Sequence, residues 1–307
     1  MSTSGGMRAV VAALGANLGI ALIKFIAFAI TGSAAMLAEG VHSVVDSGNQ
    51  ALLLIGARRS RRRATPEHPF GYGRDRYVYG FLVALVLFSA GGLFAVYEGI
   101  DKVRHPHHLE SLAVALVVLA VAIVLESFSL RTAVVESRHA KGSLGWFAFI
   151  RRAKLPELPV VLLEDTAALI GLLLALVGVG LSAATGDAVW DGIATICIGV
   201  LLLTVAAVLI VETKSLLLGE AAAPEAVAAI VANLVGPGVE RVIHLRTMHL
   251  SPDELLVAAK LAMPRTATLA EVAAAIDGAE ARVRAAVPAA TVIYLEPDID
   301  RAALEPR

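Results

Sequence analysis

Cysteine is almost missing from this chain. Cys197 is the only one in 307 residues, which excludes an intrachain disulfide and any cysteine metal knuckle. It lies in an apolar run and reads as a small core residue. Aromatic residues are scarce at 5%, charged residues make up 17%, and the formal net charge is -1. That balance carries no signal for nucleic acid, and none is expected as a partner. No HExxH pair occurs, which argues against an intramembrane metal hydrolase; no enzymatic activity is expected. There is no internal repeat and no low-complexity tract. Met1–Arg8 is too polar and short for the start of a secretory leader, so the first apolar run is expected as a retained helix.

What the chain has instead is apolar length. The hydrophobic share is 57% and the mean hydropathy is +0.75, above the usual apolar share of soluble domains. A membrane span needs about 20 mostly apolar residues. Six runs qualify: Ala9–Thr31, Ala34–Ile55, Tyr77–Ile100, Leu109–Arg131, Pro159–Ala183 and Val189–Val211. They predict a transmembrane domain over 1–215 in a lipid bilayer. The loop after span 2 carries Arg58, Arg59, Arg61, Arg62 and Arg63, and the loop after span 4 carries Arg138, Lys141, Arg151, Arg152 and Lys154. Basic loops stay cytoplasmic, so both termini are expected there.

From Gly219 the composition turns soluble. Pro224–Leu234 has helical spacing, Val239–Leu250 and Leu255–Met263 read as strands, Leu269–Ala286 as an amphipathic helix and Thr291–Glu296 as a last strand. The order αββαβ predicts a small cytoplasmic α+β domain over 219–307.

The chemistry sits where it is most expensive. Span 2 is the least apolar and carries Glu39, His42, Asp46, Asn49 and Gln50. On a helix Glu39, His42, Asp46 and Asn49 share an arc of about 80°. Span 5 carries Glu164 and Asp165. Ionisable groups at membrane depth usually mark an ion or proton pathway. Imidazole beside carboxylate suits a divalent transition metal, zinc above all. A bound cation would offset both helices at once. Lys24 in span 1 reads as a lysine that snorkels toward an interface. Glu126 in span 4 is expected to hydrogen-bond within the bundle.

Three segments carry a resemblance to a known family: Ala38-Glu-Gly-Val-His-Ser-Val-Val-Asp-Ser-Gly-Asn-Gln50, His68-Pro-Phe-Gly-Tyr-Gly-Arg74 and Leu162-Leu-Glu-Asp-Thr-Ala-Ala-Leu-Ile-Gly171. Together they resemble the cation diffusion facilitators, which are divalent-metal/proton antiporters, and most closely the branch of the animal mitochondrial zinc exporter. The resemblance covers nearly the whole chain. It implies zinc as transported substrate rather than cofactor, exchange for protons, alternating access and a homodimer formed through the cytoplasmic domain. A bacterial inner membrane is the expected location.

The family site has His or Asp, then Asp four residues on, in spans 2 and 5. His42, Asp46 and Asp165 match, whereas Val161 occupies the remaining position and cannot ligate. Glu164 or Asn49 is the candidate to replace it, so the metal set is His42, Asp46, Asp165, Glu164 and Asn49. A carboxylate-rich set keeps Mn²⁺, Fe²⁺ and Co²⁺ open as cargo, and the degraded sites keep open a non-transporting scaffold. In the loop site of other members only His68 survives, with Thr65 and Tyr72 at the other positions. In the cytoplasmic domain Lys260 and Tyr294 stand where zinc-sensing members have ligands, leaving Glu296.

Overall fold

A computed structural model describes residues 4–31, 34–106 and 112–299. Six long helical segments coincide with the six expected spans. They are α1 (Ser4–Thr31), α2 (Ala34–Arg59), α3 to α4 (Asp75–Leu82 and Ser89–Arg104, joined through a π-helical stretch at Val83–Phe88), α5 (Leu112–Lys141), α7 (Glu157–Thr185) and α8 (Val189–Leu218). The expected start of span 4 at Leu109 lies outside the described residues. A short helix α6, Trp146–Arg152, fills the loop before α7. Five of the six segments are long and apolar enough to cross a membrane, and α2 is the exception because of its polar residues.

The helices outrun the apolar runs at several ends. Arg58 and Arg59 sit in the last turn of α2, and Arg138, His139 and Lys141 in that of α5. Cations at a helix C-terminus meet the negative end of the helix dipole, so helix continues past the hydrocarbon. The π stretch was not foreseen. The Ser89 hydroxyl donates to the Ala84 carbonyl, five residues back, at 3.5 Å, which matches the wider local winding. Gly186 ends α7 in a left-handed conformation, φ 73°, with its N–H on the Ser182 carbonyl at 2.9 Å.

Inside the bundle α1 packs on α2, α5 and α7, and α5 packs on α7. The core combines Ala9, Val10 and Ala13 of α1 with Leu53, Ala133, Val160, Val161 and Leu209 of the other helices. Large apolar side chains such as Leu93, Val124, Phe128 and Val211 point outward, as expected where the solvent is lipid. Cys197 is also exposed on α8. This corrects the core reading: an apolar helix in a bilayer has two apolar faces, and sequence alone does not say which one packs.

The C-terminal unit has the order α9 (Pro224–Leu234), β1 (Arg241–Ser251), β2 (Glu254–Ala262), α10 (Leu269–Ala286) and β3 (Val292–Asp298). Strands β1 and β2 pair antiparallel, and β2 and β3 pair parallel across the α10 crossover. Thr268 and Glu271 form a reciprocal capping box that starts α10, satisfying two of its orphan N–H groups. Ile230, Leu234, Leu261, Ala279 and Val283 are fully buried in one core. The segment Arg62–Arg74 between the second and third spans belongs to this compact unit. A Cβ on Gly73 would stand 2.5 Å from the Ser251 Cβ, so only glycine allows so close a contact.

Candidate metal centre

On α7 Glu157, Val160, Val161, Glu164 and Asp165 are all buried. Successive residues diverge by about 100° on a helix, so adjacent Glu164 and Asp165 address different neighbours. Glu164 faces α2: its Oε1 accepts from Asn49 Nδ2 at 3.0 Å and from Gln50 Nε2 at 2.7 Å. Asp165 faces α5: its Oδ2 accepts from the Ser129 hydroxyl at 2.7 Å. Gln50, fully buried, in turn accepts at Oε1 from Asn17 Nδ2 of α1 at 3.3 Å.

Four helices are thereby stitched together by polar contacts at one level of an apolar bundle. Such contacts are kept only where every group finds a partner. The Asn49 Oδ1 departs from this: it is buried and has no hydrogen-bond partner among the described residues, while the second Glu164 oxygen, Oε2, takes neither amide. Amide and carboxylate oxygens are hard donors suited to divalent cations. Val161 is fully buried in the apolar core and offers no donor.

Of the expected ligands, the structure brings Asn49 and Glu164 into direct contact and sets Asp165 beside them on α7. His42 and Asp46 lie one turn apart on α2; their side chains fall outside the described residues. Among the described residues no three His, Cys, Asp or Glu side chains form a metal-sized group. Asn17 and Ser129 belong to the site although the sequence does not mark them, and Gln50, a named polar residue of span 2, gains its role only from these contacts. Their only signal was an amide or hydroxyl in an otherwise apolar run. Lys24, half-buried, donates from Nζ to the Ser43 hydroxyl of α2 at 2.9 Å. Glu126 is buried on α5, one turn from Ser129.

Residues 10–218 match the family model described as cation efflux transmembrane domain, and 222–298 match the cation efflux protein cytoplasmic domain. The chain belongs to the cation efflux, or cation diffusion facilitator, family. Among relatives, the mouse mitochondrial proton-coupled zinc antiporter SLC30A9 is 34% identical over 223 residues, 72% of this chain and 39% of the relative. Metal tolerance protein C4 of Arabidopsis thaliana is 32% identical over 216 residues, 70% of this chain and 47% of that protein. The cation-efflux pump FieF of Klebsiella pneumoniae is 32% identical over 117 residues, 38% and 39% of the two chains. This chain thus spans less than half the length of the mouse and plant proteins.

The peripheral sites of this cation efflux protein are built differently. In the loop, Thr65 and His68 exchange backbone hydrogen bonds at 3.2 and 3.0 Å. The His68 ring packs edge-on against Tyr72, with centroids 4.6 Å apart. The three positions are therefore neighbours, held by a turn and a ring contact. In the cytoplasmic domain the Lys260 ammonium bridges Glu296 at 3.0 Å and Asp298 at 3.3 Å. Hydrogen bonds from Lys260 to these two carboxylates raise its pKa above the ordinary lysine value. A fixed cation thus sits on the remaining carboxylate. At the end of α4 His105 pairs with Asp101 at 3.1 Å, and His107 and His108 lie outside the described residues.

Proposed function

We propose that this protein exports Zn²⁺ from the cytoplasm in exchange for protons, by alternating access around the polar layer of α1, α2, α5 and α7. The observation that carries the reading is that layer: Glu164 and Asp165 are buried in an apolar bundle, one tied to α2 and the other to α5. Family membership and the printed name of the mouse relative, a proton-coupled zinc antiporter, support it.

His42, Asp46, Asp165, Glu164 and Asn49 form the proposed metal set. Neutral His42 and ionised Asp46 and Asp165 bind zinc when the site faces the cytoplasm, with Glu164 and Asn49 completing the site. Ligands must be deprotonated to bind metal, so protons and metal compete for the same atoms. Protonation of His42 on the far side then helps release the ion. The working unit is proposed to be a homodimer formed through the cytoplasmic domain, which the matched family model supports. We place it in a bacterial inner membrane with both termini cytoplasmic. Cell fractionation decides between this and the mitochondrial location printed for the mouse relative.

The test is zinc flux into proteoliposomes with an imposed pH gradient and clamped potential. Acid on the cytoplasmic side should slow transport, and acid on the opposite side should drive it. A panel with Mn²⁺, Fe²⁺ and Co²⁺ fixes the cargo. Zinc flux indifferent to the gradient removes antiport; no flux of any ion leaves the scaffold reading.

A further inference from the structure

We propose that Asn49, through its amide oxygen, supplies the ligand that Val161 cannot, and that Glu164 is the positioning residue that aims it. This rests on the transport reading above and assigns separate roles within the same site.

The polarity of the hydrogen-bond chain carries the argument. An ionised carboxylate only accepts hydrogen bonds. The amides that meet Glu164 Oε1 must therefore present nitrogen, Asn49 at 3.0 Å and Gln50 at 2.7 Å. With its nitrogen committed there, Gln50 turns Oε1 to α1, where Asn17 Nδ2 donates at 3.3 Å. Neither α2 amide can flip without setting oxygen against oxygen. The Asn49 oxygen must then point away from Glu164.

That oxygen is buried and lacks a hydrogen-bond donor among the described residues. Leaving a buried acceptor unsatisfied is costly, because its lost hydration is not replaced. The cost makes sense if the atom is reserved for a ligand. Asn49 follows Asp46 by three residues and His42 by seven on α2, spacings that place all three on one helix face. The ligand for a buried, unprotonated oxygen on a His–Asp face is a divalent cation. Glu164 Oε1 accepts from both amides, which fixes the orientation of Asn49 and Gln50; Oε2 takes neither, so the variants below separate a positioning carboxylate from a ligating one. The resulting donors, one imidazole, two carboxylates and one amide oxygen, are harder than a two-histidine set.

The experiment titrates zinc into purified full-length protein by calorimetry, with thermal melting as the check on folding. Asn49→Ala and Glu164→Gln should each weaken binding on the order of tenfold or more, as expected for a ligand and for the residue that orients it. In the Asn49→Ala background Glu164→Gln should add nothing further. The paired exchange Asn49→Asp with Glu164→Gln restores a carboxylate–amide contact with roles reversed and should recover binding. It keeps the hydrogen bond, so it remains decisive if Asn49→Ala does not fold. Wild-type affinity in folded Asn49→Ala, additive losses in the double variant, or an exchange variant as weak as Glu164→Gln would overturn the assignment; the last two make Glu164 itself the ligand. Zinc binding that survives Asp46→Ala would instead overturn the transport site, whatever residues 49 and 164 do.

Discussion

Arg76 Nε stands 2.6 Å from Glu157 Oε1, and both residues are buried, at 6% and 2% exposure. The pair joins the start of α3 to the start of α7. Glu157 lies two turns before Glu164, with Val161 between them on the same face of α7. The ion pair thus clamps the helix that carries both site carboxylates. Removing one member of a buried pair leaves a charge without its counter-ion and typically costs about 3–5 kcal/mol, whereas replacing both by apolar groups is often neutral. Glu157→Leu should therefore lower the melting temperature sharply, and Arg76→Met with Glu157→Leu should recover most of it. Equal melting of single and double variants would argue against the clamp.

Helices α4 and α8 meet through glycines. A Cβ on Gly99 would stand 2.7 Å from Ile196 N and 2.9 Å from Gly192 O, and one on Gly199 would stand 2.7 Å from Val96 N. Backbone cannot yield as a flexible side chain can, and membrane helices use such small residues for close approach. Gly99→Ala should give poorly folded, aggregating protein. Gly91→Ala, on the same helix with nothing within 4 Å of its Cβ, should purify like wild type. Size-exclusion profiles read both.

Asp165 and Ser129 supply a graded test of the site. Asp165→Asn removes the charge and should abolish zinc flux while the protein stays folded. Ser129→Ala removes one hydrogen bond to a charged group, worth about 1.5–3 kcal/mol, so zinc affinity should fall about tenfold or more. Unchanged affinity in Ser129→Ala would show that the bond is structural only.

Lys260 makes a prediction about pH. Its ammonium is held by Glu296 and Asp298, which raises its pKa. A cation whose folded pKa is raised contributes stability fully below the unfolded value, ~10.4 for lysine, and loses it as pH rises through the folded value. The contribution should be constant from neutral pH to about pH 10 and fade only above it. Lys260→Met should flatten that alkaline loss in a melting-versus-pH series. Zinc should leave the melting of a 219–307 fragment nearly unchanged, because Lys260 already occupies Glu296.

Much of this protein was legible in one dimension. Apolar runs of span length, basic loops and a switch to amphipathic spacing after Gly219 set the architecture, because lipid demands long apolar helices and water demands alternation. The polar face of α2 and the Glu164–Asp165 pair were legible for the same reason, since charge is conspicuous where apolar residues are the rule. The hydrophobicity of α8 could not orient Cys197, and a helix apolar all round has no readable inside.

Partnership was decided only by the tertiary structure. Glu164 and Asp165 are neighbours in sequence, yet the helical turn between them sends one to α2 and the other to α5. Asn17, Gln50 and Ser129 matter through contacts with residues 33 to 114 positions away. Sequence by itself determined that charged and amide residues interrupt the apolar helices of a membrane bundle. Which oxygen is aimed, and by which neighbour, follows from hydrogen-bond directions that exist only once four helices are packed side by side.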